Sequence, residues 1–254
     1  MDKKLKIALA QLNPLVGDVS GNIDKLISIR AGLKDDVDIL VAPELYVSGY
    51  PIDDLVLRED FLNLVEKEIN KLADSTKDKK SAIIVGAPRK DNNSIKNSVF
   101  VIENGKIISI KDKYELPNTG VFDEQRIFKQ GSLEDCVDIK GVKFGLPICE
   151  DIWEKTVLEK LSKSGAEIIV AINASPFTVS KNEERESVAK LRVNETKLPI
   201  VYLNRTGGQD ELIFDGSSFG LNHDGKIFYN SSEFKEETAQ ISFQKTNGKW
   251  SGPV

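Results

Sequence analysis

The chain is predicted to be an α/β protein built from two β-sheets packed face to face, with helices outside both. Three observations predict it. Runs that read as strands outnumber those that read as helices, the two kinds alternate in each half of the chain, and most strand runs are apolar almost throughout, as strands covered on both faces must be. A doubly wound single sheet fits this pattern less well. No shift of composition, internal repeat or low-complexity stretch divides the 254 residues, so positions 1–254 read as one domain.

Residues 5–11 alternate as a half-buried strand and stop at Asn13-Pro14. Residues 22–33 place Ile23, Leu26 and Ile27 on one helical face, and 38–44 read as a buried strand that ends, unusually, on an acid, Glu44. A covering helix follows at 60–74, with Leu62, Val65, Ile69 and Leu72 at helical spacing and charge opposite them. Residues 81–87 are a continuous apolar strand, and 98–102 and 106–110 flank the hairpin signal Asn104-Gly105. The stretch 111–131 has little periodicity but holds Lys113, Asn118, Asp123, Glu124 and Arg126; an irregular segment of that length inside a compact domain usually lines a site. A buried strand at 142–148 then delivers Cys149, followed at once by Glu150 and Asp151, and Val157, Leu158 and Leu161 mark the next helix. Residues 167–173 form a strand ending in Ala174-Ser175-Pro176. Residues 182–196 are a polar helix whose sparse apolar face, Val188 and Leu191, reads as a docking surface. A strand at 199–203, a hairpin at 219–229 and a strand at 238–243 complete the sheets, and 246–254 reads as a tail.

Composition excludes whole classes of function. An apolar content of 40% supports a sizeable core, while a net charge of -5, a pI near 5.2 and the lack of a basic run argue against nucleic acid or an anionic membrane as partner. No run approaches the roughly 18 apolar residues of a membrane span. Met1-Asp2-Lys3-Lys4 leading into a strand is not a signal peptide, so a cytoplasmic protein is expected. Cys136 and Cys149 offer neither a disulfide framework nor metal-ligand spacing, and no metal is expected. The single histidine, His223, lies in the turn sequence Leu221-Asn222-His223-Asp224-Gly225. Its placement leaves a Ser-His-Asp triad, a Cys-His dyad or a multi-histidine metal site without support. A nucleophilic Cys149 would therefore need a carboxylate or a lysine as its base.

Glu44, Lys113 and Cys149 each stand at the end of an apolar strand or at the start of the irregular segment after one, and strand ends on one rim converge. A buried carboxylate can serve as a base near neutral pH, and a nearby ammonium favours a thiolate and stabilises an oxyanion. The plainer alternative is a structural ion pair between Glu44 and a lysine, with Cys149 as a small packed residue. Taken alone, these residues leave both open.

Longer motifs separate them. Pro43-Glu-Leu-Tyr-Val-Ser-Gly-Tyr-Pro51 with Asp53-Asp-Leu55, Lys113 with Leu116-Pro-Asn118 and Val121-Phe-Asp-Glu124, Cys149-Glu-Asp-Ile-Trp153, Asn173-Ala-Ser-Pro-Phe177, and Tyr202-Leu-Asn204 running on to Phe214-Asp-Gly216 occur in this order over nearly the whole chain. In them the chain resembles the nitrilase, or carbon-nitrogen hydrolase, superfamily, and within it the glutaminase domains of glutamine-dependent NAD synthetases. The resemblance implies a four-layer αββα sandwich that associates with further copies, and hydrolysis of the side-chain amide of L-glutamine. It implies Glu44 as base, Cys149 as nucleophile, and Lys113 with the backbone N–H of Glu150 as oxyanion donors. It further implies glutamine contacts from Ser175 and Lys181, a pocket shaped by Glu150, and Glu124 as a supporting carboxylate. The amidase reaction needs no cofactor; ATP and Mg would serve a synthetase domain whose Ser-Gly-Gly-x-Asp-Ser loop is not among these residues. Thr206-Gly-Gly-Gln-Asp210 looks superficially like that loop, but Glu211 replaces the hydroxyl and would repel phosphate. The implied partner is an ammonia-using NAD synthetase domain or subunit. Thr119 departs from the pattern, standing where an aromatic glutamine contact is usual. That keeps an alternative in view: a stand-alone carbon-nitrogen hydrolase acting on another small carboxamide. A non-catalytic assembly subunit is a third reading, against which the retention of Glu44, Lys113 and Cys149 speaks.

Overall fold

The computed structural model describes residues 3–253; the first two positions, where no leader is expected, and Val254 at the end of the expected tail lie outside them. In chain order the first half comprises β1 (Lys4–Gln11), α1 (Val19–Ala31), β2 (Ile39–Val41), α2 (Glu59–Asp74), β3 (Ala82–Asp91), β4 (Ser94–Glu103) and β5 (Lys106–Asp112). A loop carrying the one-turn helix α3 (Glu124–Ile127) leads to β6 (Val137–Ile139), β7 (Val142–Gly145), α4 (Lys155–Lys163), β8 (Ile168–Asn173), α5 (Lys181–Thr196) and β9 (Ile200–Asn204). The remaining strands are β10 (Thr206–Gln209), β11 (Leu212–Asp215), β12 (Phe219–Leu221), β13 (Ile227–Asn230), β14 (Glu237–Thr246) and β15 (Lys249–Ser251).

Two mixed sheets result, a seven-stranded one in the order β15-β14-β1-β2-β3-β4-β5 and a six-stranded one in the order β13-β12-β9-β8-β7-β6. Strand alternation assigns each apolar residue to a layer. Leu5, Ile7, Leu9, Ile84 and Val101 from the first sheet meet Phe144, Ile168, Val170 and Val201 from the second in a layer between the sheets. On the opposite face of the first sheet, Ile83 and Val85 pack beneath Ile23 and Leu26 of α1 and Val65, Ile69 and Leu72 of α2. On the opposite face of the second, Ile169, Ala171 and Ile200 pack beneath Leu158 and Leu161 of α4 and Ala189 and Val193 of α5. This is the αββα arrangement expected from the sequence. Among the described residues no helix is long and apolar enough to cross a membrane.

The parallel crossovers orient the site. β1-α1-β2-α2-β3 and β7-α4-β8-α5-β9 keep β1, β2 and β3 parallel in one sheet and β7, β8 and β9 parallel in the other. The chain leaves β2, β7, β8 and β9 at their C-terminal ends, and helix α1 starts under a side-chain cap, Asp18 accepting from the Gly21 N–H at 3.0 Å.

One expectation needs correction. The stretch 246–254 is not a free tail: β15 pairs antiparallel with β14 and sets Trp250 into the inter-sheet layer at 2% exposure. Helix α5 leaves Leu191 exposed, and its face against the sheet is Arg185, Ala189, Arg192 and Val193. The Thr206-Gly-Gly-Gln-Asp210 segment, rejected as a phosphate loop from its sequence, is one arm of the β10–β11 hairpin. The turn reading of His223 holds, with the Gly225 N–H donating to the Asn222 carbonyl at 2.8 Å. Because Trp250 fills the inter-sheet layer, Trp250→Ala is expected to lower unfolding free energy by about 3 kcal/mol in urea titrations; a loss under about 0.5 kcal/mol would return the segment to the status of a tail.

Candidate active site

Glu44, Lys113, Glu124 and Cys149 come together at the rim where the strands end, all nearly excluded from solvent. Glu44 stands just beyond β2, in a corner where Leu45 takes a left-handed φ of 46° and the Tyr46 N–H donates to the Pro43 carbonyl at 3.3 Å. Strand β3 passes against this corner at Gly86. A Cβ there would lie 2.4 Å from the Leu45 nitrogen, 2.6 Å from the Pro43 oxygen and 2.7 Å from the Glu44 Cα, so no larger residue fits without displacing Glu44. Lys113 follows β5 directly, its N–H donating to the Asn97 carbonyl at 2.8 Å. Cys149 opens a 3-10 turn (Cys149–Trp153) after β7 with φ 47°. That conformation costs a non-glycine residue about 1 kcal/mol or more and persists only when neighbours enforce it. Here the Asp151 N–H donates to the Ile148 carbonyl at 3.1 Å, and Ile148 bridges to Ile172 of β8.

Lys113 Nζ is the hub. It donates to Glu44 Oε1 at 2.7 Å and to both oxygens of Glu124 at 2.9 Å, with no exposed surface on its own side chain. Glu44 also accepts from Asn97 Nδ2 at 2.8 Å and, on its other oxygen, from the Ala174 N–H at 2.9 Å. The Tyr50 hydroxyl donates to Glu124 Oε1 at 3.4 Å. Burial disfavours the Lys113 charge, but Glu124 and Glu44 more than reverse this and hold the ammonium form. Burial pushes the Glu124 carboxyl up to about 7 against the pull of Lys113, with Glu44 adding to the rise. The Cys149 thiol is raised well above its ordinary value by burial and by the Glu44 carboxylate, which together outweigh Lys113. The expectation that the ammonium would favour a thiolate is thus reversed: the resting group is the thiol.

The other expected residues fall into two groups. Ser175, at the end of β8, is buried; its N–H donates to Asn204 Oδ1 at 2.9 Å and its hydroxyl accepts from Arg185 Nε at 3.1 Å. Half-buried Glu150 has its carboxyl raised by burial and drawn back by Lys113 and Lys181, while Lys181 Nζ sits 4.4 Å from the centre of the Trp153 ring. Thr119 stays apart, exposed in the loop before α3, where its carbonyl accepts from the Phe122 N–H at 3.1 Å.

Several supporting residues were not singled out from the sequence: Asn97, Gly86, Asp151, Asn204 and the buried pair of Arg185 with Asp215, whose shortest contact is 2.8 Å. Asp151 was read as part of a motif, but not as a functional group. Its buried carboxyl, pushed up to about 7 mainly by burial, accepts three backbone N–H groups, from Ile148, Tyr114 and Glu115. Ionised, it meets these donors with acceptors alone, whereas protonation would bring an O–H into the same set of donors. Glu124 holds Lys113 through its charge, so activity is expected to fall as pH drops through about 7. Asp151 titrates over the same range, so Glu124→Gln should make that acid limb of kcat/KM shallower without abolishing it; a limb of unchanged steepness would remove Glu124 from it.

Comparison with known proteins agrees with the fold. The family model for carbon-nitrogen hydrolases matches residues 6–250. The glutamine-dependent NAD(+) synthetase of Rhodobacter capsulatus is 36% identical over 251 residues, which cover 98% of this chain and 45% of that protein. That of Acinetobacter baylyi is 37% identical over 243 residues, covering 95% and 44%. Among solved structures, the glutamine-dependent NAD+ synthetase of Acinetobacter baumannii in complex with ADP superposes with a TM-score of 0.90 at 35% identity, covering 98% of this chain and 47% of that one. The chain therefore spans less than half the length of these relatives. With a family match running through nearly every strand described above, the chain belongs to the carbon-nitrogen hydrolase family.

Proposed function

We propose that this chain hydrolyses the side-chain amide of L-glutamine and supplies the ammonia to an ATP-dependent NAD synthetase domain or subunit. The observation that carries the reaction is the Lys113 ammonium shared between Glu44 and Glu124 beside a buried thiol at a strained strand end. The substrate and the destination of the ammonia rest on the names of the relatives, which are glutamine-dependent NAD(+) synthetases.

Glu44 takes the thiol proton as the Cys149 sulfur attacks the carboxamide carbon. The new C–S bond leaves a tetrahedral oxyanion, held by Lys113 Nζ and the Glu150 N–H. Glu44 returns the proton to the nitrogen, the C–N bond breaks and ammonia departs, leaving a thioester. Water then loses a proton to Glu44 and attacks the thioester, and collapse of the second oxyanion releases glutamate while the proton goes back to sulfur. On this reading Ser175, Glu150 and Lys181 would contact the α-amino acid end of the substrate. Ser175 already accepts a hydrogen bond from Arg185, which leaves its own proton for a substrate acceptor such as a carboxylate, and Lys181 carries the complementary charge.

The exposed position of Thr119 favours retaining one second reading, a hydrolase of another small carboxamide. The two separate in a panel of amides assayed for ammonia release, in which glutamine is expected to show the highest kcat/KM. A clear preference for a carboxamide lacking the amino-acid end would replace glutamine as substrate. Cys149→Ala is expected to lower turnover by at least about a thousandfold, in line with loss of a covalent nucleophile. Residual turnover near wild type would end the thioester mechanism.

A further inference from the structure

Asp151 is a buried carboxylate for which the proposed mechanism has no use. It is 3% exposed and, among the described residues, no cation forms a salt bridge with it. An isolated buried charge is costly unless donors replace its water. Here backbone N–H groups do so. Asp151 Oδ2 accepts from the Ile148 N–H at 2.9 Å, while the Asp151 N–H donates back to the Ile148 carbonyl at 3.1 Å, closing a ring around Cys149. Asp151 Oδ1 accepts from Glu115 at 2.7 Å and from Tyr114 at 3.1 Å, the two residues directly after Lys113.

Those partners belong to different sheets. The Cys149 turn continues from β7 of the six-stranded sheet, whereas Lys113 continues from β5, the edge strand of the seven-stranded sheet. Among the described residues no strand ladder joins β5 to β7. In the proposed reaction the two oxyanion donors are Lys113 Nζ and the Glu150 N–H; Lys113 directly precedes Tyr114, which the Asp151 carboxylate grips, and Glu150 lies between Asp151 itself and Ile148, two residues from the gripped Ile148 N–H. An ionised carboxylate suits this task as an amide does not. It offers acceptors on both oxygens, whereas an asparagine would turn an NH2 group either on the Ile148 N–H or on the Tyr114 and Glu115 N–H groups.

We propose that Asp151 is a positioning residue that clamps the segment after Lys113 to the Cys149 turn across the two sheets, and so fixes the spacing of the two oxyanion donors. This rests on the amide-hydrolysis reading above. A donor displaced by a fraction of an ångström stabilises the tetrahedral oxyanion poorly but still allows substrate to bind, so the loss appears in kcat.

The test compares two reactions of Cys149 in the full chain. Glutamine hydrolysis passes through an oxyanion; alkylation by iodoacetamide displaces iodide and does not. Asp151→Asn is expected to lower kcat at least about thirtyfold with KM held within about threefold, while the second-order alkylation rate falls by less than about threefold. Circular dichroism and the melting transition establish that the variant is folded; if it is not, Asp151→Ser, which keeps a short acceptor, carries the same comparison. Equal losses in hydrolysis and alkylation would make Asp151 merely structural, as would a loss carried by KM, and a kcat within about twofold of wild type would remove the clamp altogether. Wild-type protein that alkylates normally yet turns over no carboxamide would overturn the proposed function instead.

Discussion

The interaction on which the rest of the site depends is the Lys113 ammonium, held without solvent contact between two carboxylates. Removing such a charge from water costs several kcal/mol, and a single partner seldom repays it; loss of one partner of a buried pair typically costs ~3–5 kcal/mol. Two carboxylates and further donors make the cluster self-consistent, because Glu44 has Asn97 and the Ala174 N–H on its remaining lone pairs and Glu124 has Tyr50. Each partner comes from a different part of the chain. Glu44 follows β2, Asn97 lies in β4, Glu124 opens α3 and Ala174 follows β8, so satisfying one ammonium requires both sheets and the loop before β6 to be in place. The chemistry and the fold share one constraint at this point.

This division explains what the sequence made legible. Glu44, Lys113 and Cys149 stood out because each interrupts or follows an apolar run, but a structural ion pair can occupy such strand ends too, and only the longer motifs around them favoured a reactive site. The layer order was legible for a similar reason, since strands covered on both faces lack the polar alternation of strands with one wet face. The supporting residues were not, because their roles depend on partners distant in sequence. Helix 182–196 read only as polar, and nothing in that pattern marks Arg185 and Arg192 as buried, Arg185 against Asp215 and two backbone carbonyls. Trp250 was read as part of a tail because β15 is only three residues long and borrows its register from β14. Gly86 matters through an approach of main chains that no local pattern records.

The thiol's resting state gives the cluster its order of events. Where a cysteine pairs with an imidazolium, the thiolate exists before substrate arrives. Here burial and Glu44 keep the proton on sulfur, so on the proposed reading activation coincides with attack, and the carboxylate that receives the proton is one of the two that hold Lys113. Once Glu44 is protonated, its attraction for the ammonium falls at the moment negative charge develops on the carbonyl oxygen. Lys113 would then turn its field to the oxyanion, and it needs a second, permanent anchor to avoid drifting during the exchange. Glu124, bonded to Nζ through both oxygens, supplies that anchor. On the proposed mechanism the paired carboxylates are therefore unequal in role: one would trade its charge with the substrate, and the other would keep the ammonium in place while it does.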